Sequence, residues 1–101
     1  MRKAVFFDRD GVLNVDKSYL GFIKDFEWKD GAKEALAYLT EEGYAIIVVT
    51  NQSGVARGYY TEDDVKVLHD WMCREAAKAG GIITAVYYCP YIEGAPVKAY
   101  D

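Results

Sequence analysis

The stretch Phe6-Phe7-Asp8-Arg9-Asp10-Gly11-Val12-Leu13-Asn14 decides the fold, because an apolar run ends there in two aspartates. Residues 4–7 are predicted to form a short buried strand, and a strand of a parallel sheet delivers the residues after it to the edge where ligands bind. In an extended segment residues i and i+2 point to the same side, so we expect Asp8 and Asp10 to converge on one ligand or metal ion. Two anions that close need a cation or a proton between them. The stretch therefore favours a catalytic site over a simple turn.

Strands and helices alternate along the rest of the chain. Further strands are predicted at residues 45–49 and about 82–88, and the uninterrupted Ile46-Ile47-Val48-Val49 predicts a strand buried on both faces. Residues at helical spacing predict the two helices: Ala32, Ala35, Leu36 and Leu39 after an N-cap at Asp30, and Val65, Leu68, Met72, Ala76 and Ala79 after a capping box of Thr61 and Asp64. This order predicts an α/β fold, a parallel sheet of about three strands with flanking helices.

Composition narrows the class of protein. The chain has 101 residues, 51% of them hydrophobic, which is enough for one domain with a modest core. A net charge of -4 argues against a nucleic-acid or membrane-surface role, since both usually require a basic face. No signal-peptide or transmembrane pattern is present in the sequence, and two cysteines, Cys73 and Cys89, are too few for a disulfide framework. A reducing cytoplasm is the predicted location.

Two motifs carry a family resemblance. Asp8-Arg9-Asp10-Gly11-Val12 after an apolar strand resembles motif I of the haloacid dehalogenase superfamily of phosphotransferases. The segment Val48 to Gly58, with its specific string Asn51-Gln52-Ser53-Gly54-Val55-Ala56-Arg57-Gly58, resembles motif II of one branch, the D-glycero-D-manno-heptose-1,7-bisphosphate 7-phosphatases. Further similarity lies in Asn14-Val15-Asp16, Tyr19 and Tyr87-Tyr88-Cys89-Pro90. The match thus extends over essentially the whole chain.

The resemblance implies a Rossmann-like haloacid dehalogenase fold, of which residues 1–101 would be the N-terminal portion of a single hydrolase domain. The chain ends at Asp101, before the family's motif III lysine and motif IV acidic residues. We therefore expect a truncated protein, in which one flank of the first strand is an unpaired edge through which the chain could self-associate.

The implied reaction is Mg²⁺-dependent hydrolysis of a sugar phosphate monoester through an aspartyl-phosphate. Asp8 is the expected nucleophile, and Asp10 the acid and base. By resemblance the Mg²⁺ ligands are an Asp8 carboxylate oxygen and the Asp10 backbone carbonyl. Thr50 ends the second strand beside the first, so its hydroxyl and the N–H groups after it are predicted to donate to phosphoryl oxygens.

The expected partner is a small-molecule sugar phosphate. By resemblance, two segments contact it, Asp16-Lys17-Ser18-Tyr19 and Thr50-Asn51-Gln52-Ser53, and Arg57 is a further anion contact because of its planar fork. Simpler, structural interpretations stay open for two of these stretches. Asp and Gly are common turn residues, so Asp-x-Asp-Gly could be a turn, and residues 16–19 could form a solvated polar loop. His69, the single histidine, is interpreted as a residue at the surface or boundary of its helix.

A zinc site is not expected. The resembling branch often has Cys-Pro-His where this chain has Cys89-Pro90-Tyr91, and tyrosine is no ordinary zinc ligand. The branch's later Cys-x-Cys is also absent from this sequence.

Two alternatives to the heptose bisphosphate phosphatase stay open, a histidinol-phosphatase-like enzyme and an inactive fragment that pairs with another chain. A phospho-accepting receiver domain would need an aspartate after the third strand, where this chain has Tyr87-Tyr88-Cys89-Pro90.

Overall fold

A computed structural model describes residues 2–101, and its helices and strands follow the predicted order. The strands are β1 (Ala4–Phe7), β2 (Ala45–Asn51) and β3 (Ile83–Cys89), and the helices are α1 (Ala32–Glu41) and α2 (Glu62–Lys78). Short 3-10 turns lie at Ile23–Asp25, inside the long connection after β1, and at Lys98–Tyr100. Neither helix within residues 2–101 combines the length and the apolar character that a membrane crossing requires.

The three strands form one parallel sheet in the order β1-β2-β3. Phe7 pairs with Val48, and Thr50 pairs with Tyr88, so the residues after β1 and the last residues of β2 lie at the same edge of the sheet. No strand within residues 2–101 pairs with the outer flank of β1, and the Phe6 side chain is 69% exposed. The unpaired flank of β1 was expected, and within residues 2–101 the outer flank of β3 is unpaired as well. No residue of β1 is buried, so the prediction of a buried strand at residues 4–7 is wrong.

The core lies on one face of the sheet. Leu36 of α1 and Met72 of α2 pack with Ile46 and Val48 of β2, all of them fully buried. Because both helices cover that face, the other face of β2 is open, and Val49 is 44% exposed. The prediction that β2 is buried on both faces is wrong.

The helix starts differ in how well they were predicted. The capping box of α2 is confirmed: the Asp64 N–H donates to Thr61 Oγ1 at 3.1 Å, and the Thr61 N–H donates to Asp64 Oδ2 at 2.9 Å. The predicted N-cap Asp30 is wrong, since α1 begins after Gly31, whose φ of 82° is one that L side chains rarely adopt. Two residues assigned to buried helix faces, Ala35 and Ala79, are exposed.

Candidate active site

The loop after β1 is a tight turn built on one carbonyl. The Arg9 carbonyl oxygen accepts hydrogen bonds from the backbone N–H groups of Val12, Leu13 and Asn14, and the Gly11 N–H donates to the Asn14 carbonyl at 2.8 Å. Gly11 has a φ of 82°, which only glycine adopts without strain. The turn holds Asp8 and Asp10 at the carboxyl end of β1.

The two aspartates have different surroundings. The Asp8 side chain is exposed and makes no hydrogen bond or ion pair within residues 2–101. Asp10 Oδ1 accepts from Arg9 Nε at 3.1 Å, from Arg9 Nη2 at 2.9 Å and from Asn14 Nδ2 at 3.0 Å. Arg9 is therefore the cation that pairs with Asp10, while Asp8 is left without one, and sequence reasoning missed this role of Arg9.

Thr50 is buried at the end of β2, and its hydroxyl oxygen accepts a hydrogen bond from a neighbouring side chain. Gln52 Nε2 donates to Thr50 Oγ1 at 2.8 Å, and the Tyr60 hydroxyl donates to Gln52 Oε1 at 2.8 Å. Because Thr50 Oγ1 accepts the amide hydrogen, its own hydrogen is left to donate elsewhere. Burial raises the pKa of Tyr60, so this phenol stays protonated, and a donor, to higher pH than an exposed tyrosine.

The segment 16–19 approaches the same edge in a strained conformation. Asp16 Oδ1 accepts from the Ser18 N–H at 3.0 Å, and Ser18 and Tyr19 have φ values of 51° and 53°. Two consecutive non-glycine residues in the left-handed region are uncommon and cost free energy, and such strain is often found at functional sites. The Arg57 guanidinium lies 5.2 Å from the centroid of the Tyr19 ring.

A cavity of about 280 Å³ collects most of the predicted site residues. Its lining comprises Asp10, Asp16, Ser18, Tyr19, Asn51, Gln52, Ser53 and Tyr60. Four predicted residues do not line it: Asp8, Lys17, Thr50 and Arg57. Thr50 is hydrogen-bonded to Gln52, which lines the cavity, and Arg57 lies beside Tyr19, which also lines it. Lys17 forms an ion pair with Glu27 instead, at 3.3 Å. Tyr60, which also lines the cavity, was not among the residues predicted for the site.

His69 is buried, so the interpretation of a surface or boundary histidine is wrong. Its Nε2 lies 3.2 Å from Arg9 Nη1. Burial, followed by the positive charge of Arg9, lowers the pKa of His69 to about 4, so the imidazole is neutral near pH 7. The helical spacing from Val65 to His69 to Met72, both neighbours being core residues, was the available signal for its burial.

The magnesium donors implied by the resemblance fit the loop. The Asp8 carboxylate has no protein partner within residues 2–101, and the hydrogen bonds of the turn run to the carbonyls of Arg9 and Asn14, not to that of Asp10. Both groups are oxygen donors of the kind that Mg²⁺ prefers. No group of three His, Cys, Asp or Glu side chains within residues 2–101 could hold a metal ion, so these two groups would supply only part of a coordination shell.

The known proteins to which this chain is similar are phosphatases. Residues 3–88 match the family model described as polynucleotide kinase 3 phosphatase. The chain is 49% identical over 92 residues to a D-glycero-alpha-D-manno-heptose-1,7-bisphosphate 7-phosphatase of Campylobacter jejuni, covering 91% of this chain and 54% of that protein. It is 47% identical over 91 residues to the beta-anomer enzyme of Pasteurella multocida, covering 90% of this chain and 50% of that protein.

The solved structures to which this chain is similar are also phosphatases. A D,D-heptose 1,7-bisphosphate phosphatase from B. bronchiseptica, complexed with magnesium and phosphate, matches with a TM-score of 0.86 and 33% identity over 94% of this chain and 55% of that one. A putative HAD-like phosphatase from Mesorhizobium loti matches with a TM-score of 0.86 and 30% identity, over 99% of this chain and 49% of that one. The chain thus spans about half the length of the relatives it matches. The predicted α/β fold is confirmed.

Proposed function

Because this chain belongs to the polynucleotide kinase 3 phosphatase family and has the Rossmann-like fold of the HAD-like phosphatases, we propose that it hydrolyses a sugar phosphate monoester with Mg²⁺. The observation that carries the proposal is the contrast between its two aspartates. Asp8 presents a free carboxylate, whereas Asp10 is held by Arg9 and Asn14. A free carboxylate suits a nucleophile, and a fixed one suits a group that gives and takes a proton in one place.

The proposed reaction has two displacements at phosphorus. A carboxylate oxygen of Asp8 attacks and forms an aspartyl-phosphate, while Asp10 gives a proton to the departing sugar oxygen. Asp10 then takes a proton from the water that attacks the aspartyl-phosphate, and inorganic phosphate and Asp8 are released. The Thr50 hydroxyl and the N–H groups that follow it donate to phosphoryl oxygens, where negative charge accumulates.

Mg²⁺, held by the Asp8 carboxylate and the Asp10 carbonyl, would neutralise charge on the transferring phosphoryl group. The B. bronchiseptica relative, complexed with magnesium and phosphate, supports this choice of metal. We propose no zinc in this chain, because Tyr91 packs against Tyr100, with ring centroids 5.9 Å apart, and offers no ordinary zinc ligand.

The proposed substrate is a D-glycero-D-manno-heptose 1,7-bisphosphate, cleaved at the 7-phosphate. The names of the Campylobacter and Pasteurella relatives support this sugar. The cavity is near the small end of the range for ligand pockets, about 300 to 1,000 Å³, which suits a single sugar. Its polar lining would contact substrate through Asp16, Ser18, Tyr19, Asn51, Gln52 and Ser53. Lys17, next to Asp16 in the chain, and Arg57, which lies against Tyr19, would be further contacts.

The remaining parts of the proposal concern the whole protein. Residues 1–101 would be the N-terminal portion of a single hydrolase domain, acting on a small molecule and not on nucleic acid or membranes. The net charge of -4 supports the exclusion of nucleic acid, although the matched family model is described by a polynucleotide enzyme. The free thiols of Cys73 and Cys89 suit a cytoplasmic location.

A second candidate is a chain that is inactive alone and associates through the flank of β1. The unpaired flank of β1 and the exposed Phe6 favour it. A histidinol-phosphatase-like activity is the nearest enzyme alternative, and the two substrates can be compared directly.

The test is phosphate release from heptose 1,7-bisphosphate and from histidinol phosphate by this chain with Mg²⁺, with Asp8→Asn as the matched blank. We expect release from the heptose substrate, at least about 100-fold less in Asp8→Asn, because the amide is nearly the same size but cannot attack phosphorus. Faster release from histidinol phosphate would contradict the substrate. Release no greater than that of the blank would contradict the activity of this chain.

A further inference from the structure

Arg9 is a fully buried cation in contact with the proposed acid and base. Its side chain is 0% exposed, and its guanidinium donates to Asp10 Oδ1 twice, to the Leu20 carbonyl at 2.7 Å and to His69 Nε2 at 3.2 Å. Removing a cation from water is expensive, and a buried ion pair often stabilises a protein no better than apolar residues of the same volume. A gain in folding stability is therefore a weak explanation for the burial of Arg9.

The hydrogen bonds that reach Asp10 all end on one oxygen of its carboxylate. Asp10 Oδ1 accepts from Arg9 and from Asn14, whereas Asp10 Oδ2 accepts no hydrogen bond from any side chain within residues 2–101. Asn14 uses its Nδ2 for Asp10 and for the Val15 carbonyl, and leaves its own buried Oδ1 without a partner in that range. Since buried polar atoms are rarely left unpaired, this orientation of Asn14 has a cost that a contact with Asp10 can justify.

His69 completes the arrangement from a distant part of the chain. Its helix α2 brings Nε2 to the end of the guanidinium opposite Asp10, where a neutral imidazole accepts the Nη1 hydrogen. The His69 ring is 6% exposed and lies 6.0 Å from the Tyr88 ring. All three guanidinium nitrogens of Arg9 are thus engaged: Nε and Nη2 by Asp10, Nη2 also by the Leu20 carbonyl, and Nη1 by His69.

We propose that Arg9 and His69 are positioning residues, which hold Asp10 Oδ1 so that Oδ2 alone transfers the proton. The proposal rests on the proposed function. In the first displacement the Asp8–phosphorus bond forms, the bond from phosphorus to the sugar oxygen breaks, and the proton on Oδ2 passes to that oxygen. In the second, a water proton passes to Oδ2 as the water oxygen bonds to phosphorus and the Asp8–phosphorus bond breaks.

The test compares His69→Leu, which removes the acceptor for Arg9, with His69→Gln, whose amide oxygen keeps one. Lys66→Gln, at an exposed position of the same helix, is the control. For the heptose bisphosphate we expect His69→Leu to lower kcat by about tenfold or more, with KM within about twofold, since acid and base catalysis contributes about 100-fold to 10,000-fold. His69→Gln and the control should keep kcat within about threefold.

A substrate with a good leaving group separates positioning from general damage. Nitrophenyl phosphate releases its phenolate without a proton, so His69→Leu should keep the initial burst of nitrophenolate and slow the later hydrolysis of the aspartyl-phosphate. Loss of the burst, equal losses in the Leu and Gln variants, or an unchanged kcat in His69→Leu would each overturn the proposal.

Nitrogen NMR of the unmodified chain tests the contact without activity. We expect an unprotonated His69 Nε2 and slowly exchanging Arg9 side-chain hydrogens, which exchange fast in His69→Leu. A protonated Nε2, or fast exchange of the Arg9 hydrogens in the unmodified chain, would overturn the positioning role. If the unmodified chain hydrolyses neither substrate, the proposed function fails, and this spectrum still decides whether Arg9 is held by His69.

Discussion

The chemistry of single residues depends on which atoms of each side chain are already occupied. Thr50 Oγ1 accepts from Gln52 Nε2, which leaves its own hydrogen to donate, and Asp10 Oδ1 accepts from Arg9 and Asn14, which leaves Oδ2 to transfer the proton. Tyr60 sets the first of these arrangements, because its hydroxyl fixes which end of the Gln52 amide faces Thr50. Preorganised donors of this kind cost no reorganisation when charge develops on the phosphoryl group.

Tyr60→Phe should therefore lower kcat by about tenfold, the worth of one oriented donor, because Gln52 loses the contact that fixes its amide. KM should change by less than about threefold. Steady-state kinetics on the heptose bisphosphate measure both constants. Tyr38→Phe, which removes a hydroxyl from an exposed residue of α1, serves as the control. Equal kcat values in the two variants would contradict the role of Tyr60.

His69 makes a separate prediction about the pH dependence of stability. Its pKa falls from 6.5 in the unfolded chain to about 4 in the fold, so between these values the unfolded chain binds more protons. Its contribution to the free energy of unfolding is therefore complete above pH 6.5 and is lost as the pH falls to about 4, by about 3 kcal/mol in total.

Urea unfolding of the unmodified chain and of His69→Gln at several pH values measures this contribution. The difference in unfolding free energy between the two proteins should shrink by about 3 kcal/mol from pH 7 to pH 4. A constant difference would show that the buried imidazole has its ordinary pKa.

Helices and strands position these residues, and the local sequence patterns that predict each helix and strand differ in strength. The bounds of β1 and the capping box of α2 follow from neighbouring residues, so they were predictable. The open face of β2, the burial of Arg9 and the contact of His69 with it depend on pairs of residues far apart in the chain, which a single sequence does not display. The start of α1 was missed because the sequence alone does not distinguish Asp30 from Gly31 as the N-cap. Only the backbone conformation of Gly31 shows which of the two residues begins the helix.

The start of α2 is important because α2 carries His69 and follows directly after the loop of Thr50 and Gln52. Thr61→Ala should lower the free energy of unfolding by about 1 kcal/mol, since the Asp64 N–H loses its acceptor. Asp64→Ala should lower it as well, and the double variant should lose less than the sum, because both changes break one reciprocal box. Additive losses in chemical denaturation would contradict a coupled cap.

At the scale of the whole molecule, β1 and β3 are the two edge strands of the sheet that residues 2–101 form. The flank of β1 also carries the exposed Phe6, and an unpaired strand edge is a template for pairing with another chain. We expect the average mass to rise with concentration in sedimentation experiments. Phe6→Lys should suppress the rise, because a charge on an edge strand opposes pairing.

Tyr38→Lys, an equal change at an exposed aromatic of α1, should leave the concentration dependence unchanged. A chain that is monomeric at all concentrations, or equal effects of the two variants, would contradict association through β1.

The nucleophilic role of Asp8 is the central claim, and trapping the phosphorylated protein tests it most directly. Borohydride reduces an aspartyl-phosphate to homoserine. Trypsin then cleaves after Lys3 and Arg9, so the peptide of residues 4–9 contains Asp8 as its one side-chain carboxylate, while Asp10 falls in the next peptide. During turnover of the heptose bisphosphate, mass spectrometry should find homoserine at position 8 and aspartate at position 10. Phosphate release with an unmodified Asp8, or with homoserine in place of Asp10, would contradict the account.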